Sequence, residues 1–183
     1  MRNAQYEHMI IYEPTGRVPS PITSELLGRI GKACALTRAK AKRGRWSVGL
    51  RFASRSEIRS LNRAYRGKNR PTDVLSFGAD GDRRFPGHDS VRELGDVIVC
   101  AAEARKNAAS RAADPAEELV RLVVHGTLHL LGYDHADARS RARMFDLQER
   151  IVRSSGFGVR DSGFGEMERS SPKPEHRNPN TEP

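Results

Sequence analysis

The chain has little of what several protein classes depend on. Its 183 residues include two cysteines and one tryptophan, and aromatic residues make up only 6% of the total. Cys34 and Cys100 are too few for a disulfide scaffold and lack metal-ligand spacing. They are expected to be reduced core or surface thiols of a cytosolic protein. No stretch approaches the roughly 20 consecutive apolar residues of a membrane span. Residues 1–8 reach polar side chains before any apolar run, so no secretory signal is expected there; the expected location is cytoplasmic, with no membrane partner. The apolar fraction is 37% against 30% charged, enough for one core if part of the chain stays outside it.

Acid is almost missing from one segment. Between Lys32 and Arg70 there are thirteen Lys or Arg and a single acid, Glu57, while the whole chain carries a formal charge of +9. The remainder is therefore slightly acidic, and the positive charge is concentrated. Arg55, Arg59 and Arg63 recur every four residues, so on a helix they form one stripe. Like charges at that spacing repel by about 0.2–0.5 kcal/mol per pair, a cost that a polyanion laid along the stripe offsets by releasing counterions. Nucleic acid is the favoured partner over a merely solubilising basic face. Arg55, Arg59, Arg63 and Lys68 are the candidate contacts.

Periodicity predicts an α+β fold: one domain with about four strands in a mixed sheet and about five helices. Residues 9–12, 46–52, 73–77 and 94–100 read as strands, the second by its strict alternation. A helix capped by Thr23 or Ser24 carries Leu26, Leu27, Ile30 and Leu36; a short helix from Ser56 carries Ile58, Leu61, Asn62 and Tyr65. Residues 101–111 form a third. Asp114-Pro115-Ala116-Glu117 is a strong helix start for a fourth, running to about Leu131. The last opens near Asp137, carries Met144, Phe145, Leu147 and Ile151, and stops by Gly156. Residues 78–90 read as a loop. The domain is expected over residues 1–160, with a polar tail over 161–183 that lacks the apolar surface to repay its ordering entropy.

The chemically loaded stretch is His125-Gly126-Thr127-Leu128-His129-Leu130-Leu131-Gly132-Tyr133-Asp134-His135. His125 and His129, four apart on a helix, project from one face a turn apart. Gly132 supplies the left-handed residue that ends a helix, and His135 can then return to the same point. Three imidazoles with an open fourth position describe a catalytic divalent-metal site; imidazole suits zinc, with nickel, copper and iron also compatible. The metal site is thus expected on a central helix and its following loop, with Thr127 facing away and Met144 in the core beneath it. Asp134 or Asp137 could orient a ligand histidine, although Asp137 serves equally well as a helix cap. His8, His88 and His176 have no such company and read as ordinary surface residues.

One absence is informative here too. Zinc peptidases of the H-E-x-x-H type place a glutamate directly after the first histidine, and this chain has Gly126. Hydrolysis is supported; proteolysis is not.

The histidine stretch resembles the H-G-x-L-H-L-x-G-Y-D-H signature of the YbeY-type endoribonucleases, the bacterial rRNA maturation factors. Leu61-Asn62-Arg63-Ala64-Tyr65-Arg66-Gly67-Lys68, Thr72-Asp73-Val74-Leu75-Ser76-Phe77 and Leu94-Gly95-Asp96-Val97-Ile98 agree with the family, and the likeness covers roughly residues 6–156. The resemblance implies a single-strand-specific, metal-dependent endoribonuclease in which a metal-activated water attacks the RNA phosphodiester. It implies action at the 3′ end of 16S rRNA and in ribosome quality control. It also implies His125, His129 and His135 as ligands of one zinc per chain, and Arg66 as the functional arginine. The implied partners are rRNA and the small ribosomal subunit, with ribosomal proteins or an assembly GTPase as further candidates. Residues 72–77, if an edge strand, would wall a cleft for a single strand. The rival readings are a non-catalytic RNA-binding ribosome assembly factor with a structural metal, and a hydrolase of another phosphoester or an amide.

Overall fold

Alternation along the strands sorts the helices onto two faces of one sheet. The computed structural model describes residues 8–37, 44–79, 84–85 and 88–157. Strands β1 (His8–Gly16), β2 (Gly44–Phe52) and β5 (His88–Val99) run parallel, and β3 (Val74–Gly78) pairs antiparallel with β5, giving the order β1-β2-β5-β3. The two-residue β4 (Arg84–Phe85) also pairs with β5. The helices are α1 (Ser24–Thr37), α2 (Arg55–Arg66), α3 (Ala101–Ser110), α4 (Pro115–Leu130) and α5 (Ala138–Ser154). The α+β class, the mixed sheet and the five helices are as the sequence predicts.

In β5, Val97 and Val99 enter the larger core, among Ile30 of α1, Val120 and Val123 of α4 and Ile151 of α5. Ile98 between them faces the smaller core under α2, with Ala53, Ile58, Leu75 and Cys100. Each fully buried aliphatic side chain contributes about 1.5–3 kcal/mol. An edge strand is where helices from the two faces of a sheet can meet, and β3 is such an edge. It brings the end of α2 and the end of α4 to one cleft.

Several expectations need correction. Residues 78–90 are not one loop: β4 lies within them, and β5 begins at His88. The early part of β5 is a strand by pairing and not by an apolar run, with Arg92 opposite Trp46 and 5.7 Å over its ring. Leu36, Tyr65 and Phe145 sit at apolar phases of their helices yet are 65%, 66% and 41% exposed. Cys34 and Cys100 are both free and buried, and burial pushes the Cys34 thiol up to about 12. The expected tail, residues 161–183 with His176, lies outside the described residues, as do the side chains of His8 and His88.

Candidate metal centre and cleft

Helix α4 starts as its sequence dictates. Asp114 caps it by accepting from the Ala116 N–H at 2.8 Å, Pro115 fills the first position, and Glu117 and Glu118 face the positive end of the dipole. Leu119, Val120, Leu122, Val123, Val124 and Leu128 are buried, which leaves His125 and His129 half-buried on the cleft side. Thr127 faces the core, bonded to the Tyr12 hydroxyl at 2.8 Å. Gly132, at φ +87°, turns the chain back while the Tyr133 N–H donates to the Leu128 carbonyl at 3.0 Å. The Tyr133 hydroxyl donates to the Thr37 carbonyl at 2.9 Å, fixing this loop to α1. Asp134 then accepts from the His135 backbone N–H at 2.7 Å, so it shapes the loop and not an imidazole. Asp137 is a helix cap, accepting from the Arg139 and Ser140 N–H groups at 2.8 and 2.9 Å.

The three imidazoles converge as the spacing predicts. His125, His129 and His135 each offer one nitrogen within 4.8 Å of the others, and His125 Nε2 stands 3.1 Å from His129 Nε2. The orienting residue is one the sequence reading missed, Gln148 of α5, which is buried. Its Nε2 donates to Glu149 Oε1 at 2.9 Å, and a carboxylate can only accept, so the amide oxygen must face the other way. That oxygen, Oε1, lies 2.9 Å from His125 Nδ1. In a neutral ring Nδ1 is therefore the protonated nitrogen, and the Nε2 lone pair is aimed into the cluster. Glu149 is itself held by Arg121, whose Nε donates to it at 2.8 Å. The signal available in the sequence was a polar residue at the buried phase of α5, between Met144 and Ile151.

The electrostatics favour the uncharged form at two of the three histidines. Burial is the largest cause holding both His125 and His129 below the ordinary 6.5, and charge on the neighbouring imidazoles acts in the same direction. Imidazole nitrogens gathered this closely fit a divalent cation, and these three residues could hold one. Phe145 lies almost parallel to the rings of His125 and His135, its centroid 6.2 Å from each. Gly126 also has a structural reason: a Cβ there would stand 2.6 Å from Val97 Cγ1 and 3.0 Å from Ser76 Oγ. The helix lies so close to the sheet that a glutamate cannot occupy the position.

The histidines open on a cleft of about 1020 Å³ walled by Thr72–Ser76 and by parts of α2, α3 and the 132–135 loop. Arg66, Arg55 and Lys68 line it; Arg59 and Arg63 do not. Arg59 donates to Asn69 Oδ1 at 3.0 Å, and Arg63 is rotated by roughly 80° from Arg55 around the helix. Arg55 is ion-paired with Glu103 at 2.5 Å. The predicted stripe is therefore divided, and Arg70 and Lys106 join the cleft instead.

Fold and site together define a class: an α+β protein with a three-histidine cluster, capable of holding a metal ion, at the head of a basic cleft. The family model described as Endoribonuclease YbeY matches residues 21–156. Relatives of that name from Chloroflexus aurantiacus and Macrococcus caseolyticus are 42% and 41% identical. The first alignment covers 73% of this chain and 88% of the relative, the second 62% and 73%. A solution structure of a Thermotoga maritima protein matches with a TM-score of 0.50 and 30% identity, covering 80% of this chain and 89% of that one. The chain belongs to the YbeY endoribonuclease family.

Proposed function

We propose that this protein is a zinc-dependent, single-strand-specific endoribonuclease that matures the 3′ end of 16S rRNA and serves ribosome quality control in the cytoplasm. Its partners on this reading are rRNA and the small ribosomal subunit, with ribosomal proteins or an assembly GTPase lending specificity. The observation that carries it is the convergence of three imidazoles at one end of a basic cleft with an edge strand for a wall. His125, His129 and His135 would hold one zinc. A divalent ion there supplies Lewis acidity toward a phosphodiester and an attacking water.

The chain's own side chains do the rest. Gln148 keeps the His125 proton on Nδ1 and the lone pair on Nε2. Arg66, the last residue of α2, presents a planar guanidinium to the phosphate, fixed positive charge where negative charge accumulates in the transition state. Gly67, left-handed at φ +67°, ends the helix directly after it, so the side chain sits on a defined stop and not on a fraying turn. The β3 edge lets an unpaired strand run past both groups.

The test is a panel of RNA, DNA and peptide substrates with wild-type protein and Arg66→Glu, beside metal content for wild type and His129→Ala. About one zinc per chain, lost in His129→Ala, and RNA cleavage reduced at least about 100-fold in Arg66→Glu are expected. Peptide cleavage alone would overturn the reading. A folded protein that takes up no zinc even when offered it would leave an RNA-binding assembly factor.

A further inference from the structure

The acids of the cleft are engaged and several of its bases are not. Asp73 accepts from Asn107 Nδ2 and from the Val74 N–H, each at 2.9 Å. Glu103 is ion-paired with Arg55, and Asp134 accepts from the His135 N–H. Arg66, Lys68, Arg70 and Lys106 line the same cleft, and none has a side-chain partner among the described residues. Four uncompensated cations around one cavity make it a site for a polyanion.

Two of the four come from places the basic stripe did not indicate. Arg70 follows the end of α2 in a segment shaped by the buried Asn62, whose Nδ2 donates to the Arg70 carbonyl at 2.8 Å and whose carbonyl accepts from the Lys68 N–H at 3.2 Å. The backbone that carries Lys68 and Arg70 is thus held in place while their side chains stay exposed. Lys106 stands on α3 about 60° around the helix from Glu103, at the border of the face that Glu103 and Asn107 present to the cleft, and it lines the cleft with them. Those two neighbours tie α3 to α2 and to Asp73, which turns that face toward the cleft. The stripe, by contrast, is largely committed: Arg55 to Glu103, Arg59 to Asn69, with Arg63 facing elsewhere.

We propose that Lys106 and Arg70, with Lys68, hold the phosphates of single-stranded RNA in this cleft, and that Arg59 and Arg63 make no phosphate contact. The proposal rests on the RNA-cleaving reading above and adds to it which residues track the backbone. Phosphate contacts of this kind release counterions, so each one adds a fixed increment to the salt dependence of binding whatever the base sequence. That makes the contact set countable.

The experiment is fluorescence anisotropy of the zinc-loaded protein with a labelled 2′-O-methyl RNA strand, chosen to bind without being cut, over a range of KCl concentrations. Lys106→Gln and Arg70→Gln should each lower the magnitude of the slope of log Kobs against log[KCl] by about 0.7. Lys106→Arg should keep the wild-type slope, and Arg59→Gln and Arg63→Gln should leave it unchanged. All of these side chains are exposed, so melting temperatures and zinc content should match wild type throughout. Wild-type slopes in Lys106→Gln and Arg70→Gln, or a reduced slope in Arg59→Gln or Arg63→Gln, would overturn this assignment and leave the RNA reading standing. A wild-type protein that binds no RNA strand at all would remove the RNA reading, and this proposal with it.

Discussion

Gln148 Oε1 lies 2.9 Å from His125 Nδ1, joining α5 to the first histidine of α4. The contact does two jobs: it fixes the plane of the imidazole, and it selects the tautomer whose Nε2 lone pair meets His129 and His135. An outer hydrogen-bond partner of a ligand histidine is commonly worth 10- to 100-fold in metal affinity. Gln148→Leu should therefore weaken zinc binding by about that factor relative to the wild type. Competition titration against a chromophoric chelator measures both. Equal affinities in wild type and Gln148→Leu would show that the amide does not orient the ligand.

Arg121 secures the far end of that chain. It donates to Glu149 at 2.8 Å, to Glu118 at 3.0 Å and to Glu117 at 2.5 Å, so it bridges α4 and α5 through three carboxylates. The Glu118 side chain is only 2% exposed, and without Arg121 it keeps Arg111 alone. Glu118 keeps one partner and the other two carboxylates are partly exposed, so Arg121→Met should destabilise the fold by about 1.5–3 kcal/mol. Urea denaturation monitored by circular dichroism reads this directly. A loss under about 1 kcal/mol would place the network among ordinary surface pairs.

These two networks also mark how far the sequence could be read. The histidine cluster was legible because its three members lie within eleven residues, and helical spacing plus one left-handed glycine dictates where they point. β2, β5 and the start of α4 were legible through alternation, apolar runs and a capped proline start. The Gln148–Glu149–Arg121 chain was not, because it joins residues 28 apart whose partners are set by how α4 packs on α5. The same holds for the cleft, which draws on α2, α3, β3 and two loops. Helical spacing identified the stripe of Arg55, Arg59 and Arg63, but which of its members face solvent, Glu103 or the cavity depends on tertiary contacts. The early part of β5 was hidden for a similar reason, since its polar residues take strand geometry from β2 and β4.

Gly126 carries a prediction of its own. A Cβ at this position would stand 2.6 Å from Val97 and 3.0 Å from Ser76, contacts under which either the helix or the strand side chains must shift. Overpacking of this kind costs about 1–3 kcal/mol, so Gly126→Ala should lower the melting temperature despite the better helix propensity of alanine. Calorimetry of the two proteins decides it. A melting temperature raised by the substitution would mean that the strands yield and that helix propensity dominates.

The remaining prediction concerns acid. Burial holds His125 and His129 below the ordinary 6.5 in the folded protein, whereas the unfolded chain protonates them near that value. In the window beneath 6.5 the unfolded state binds more protons, so the stability of the metal-free protein should rise with pH and fall as the window is crossed downward. Glu149 contributes separately and lower: Arg121 holds its carboxyl below the ordinary 4.5, so its share is lost only in more acid solution. Urea midpoints of chelator-treated protein measured from about pH 7.5 to about pH 5 isolate the histidine window from the carboxylate one. The midpoint should fall on acidification, and His129→Asn, which cannot take up a proton there, should flatten the dependence. A midpoint that stays level in the wild type, or one equally steep in His129→Asn, would place the acid sensitivity outside the cluster.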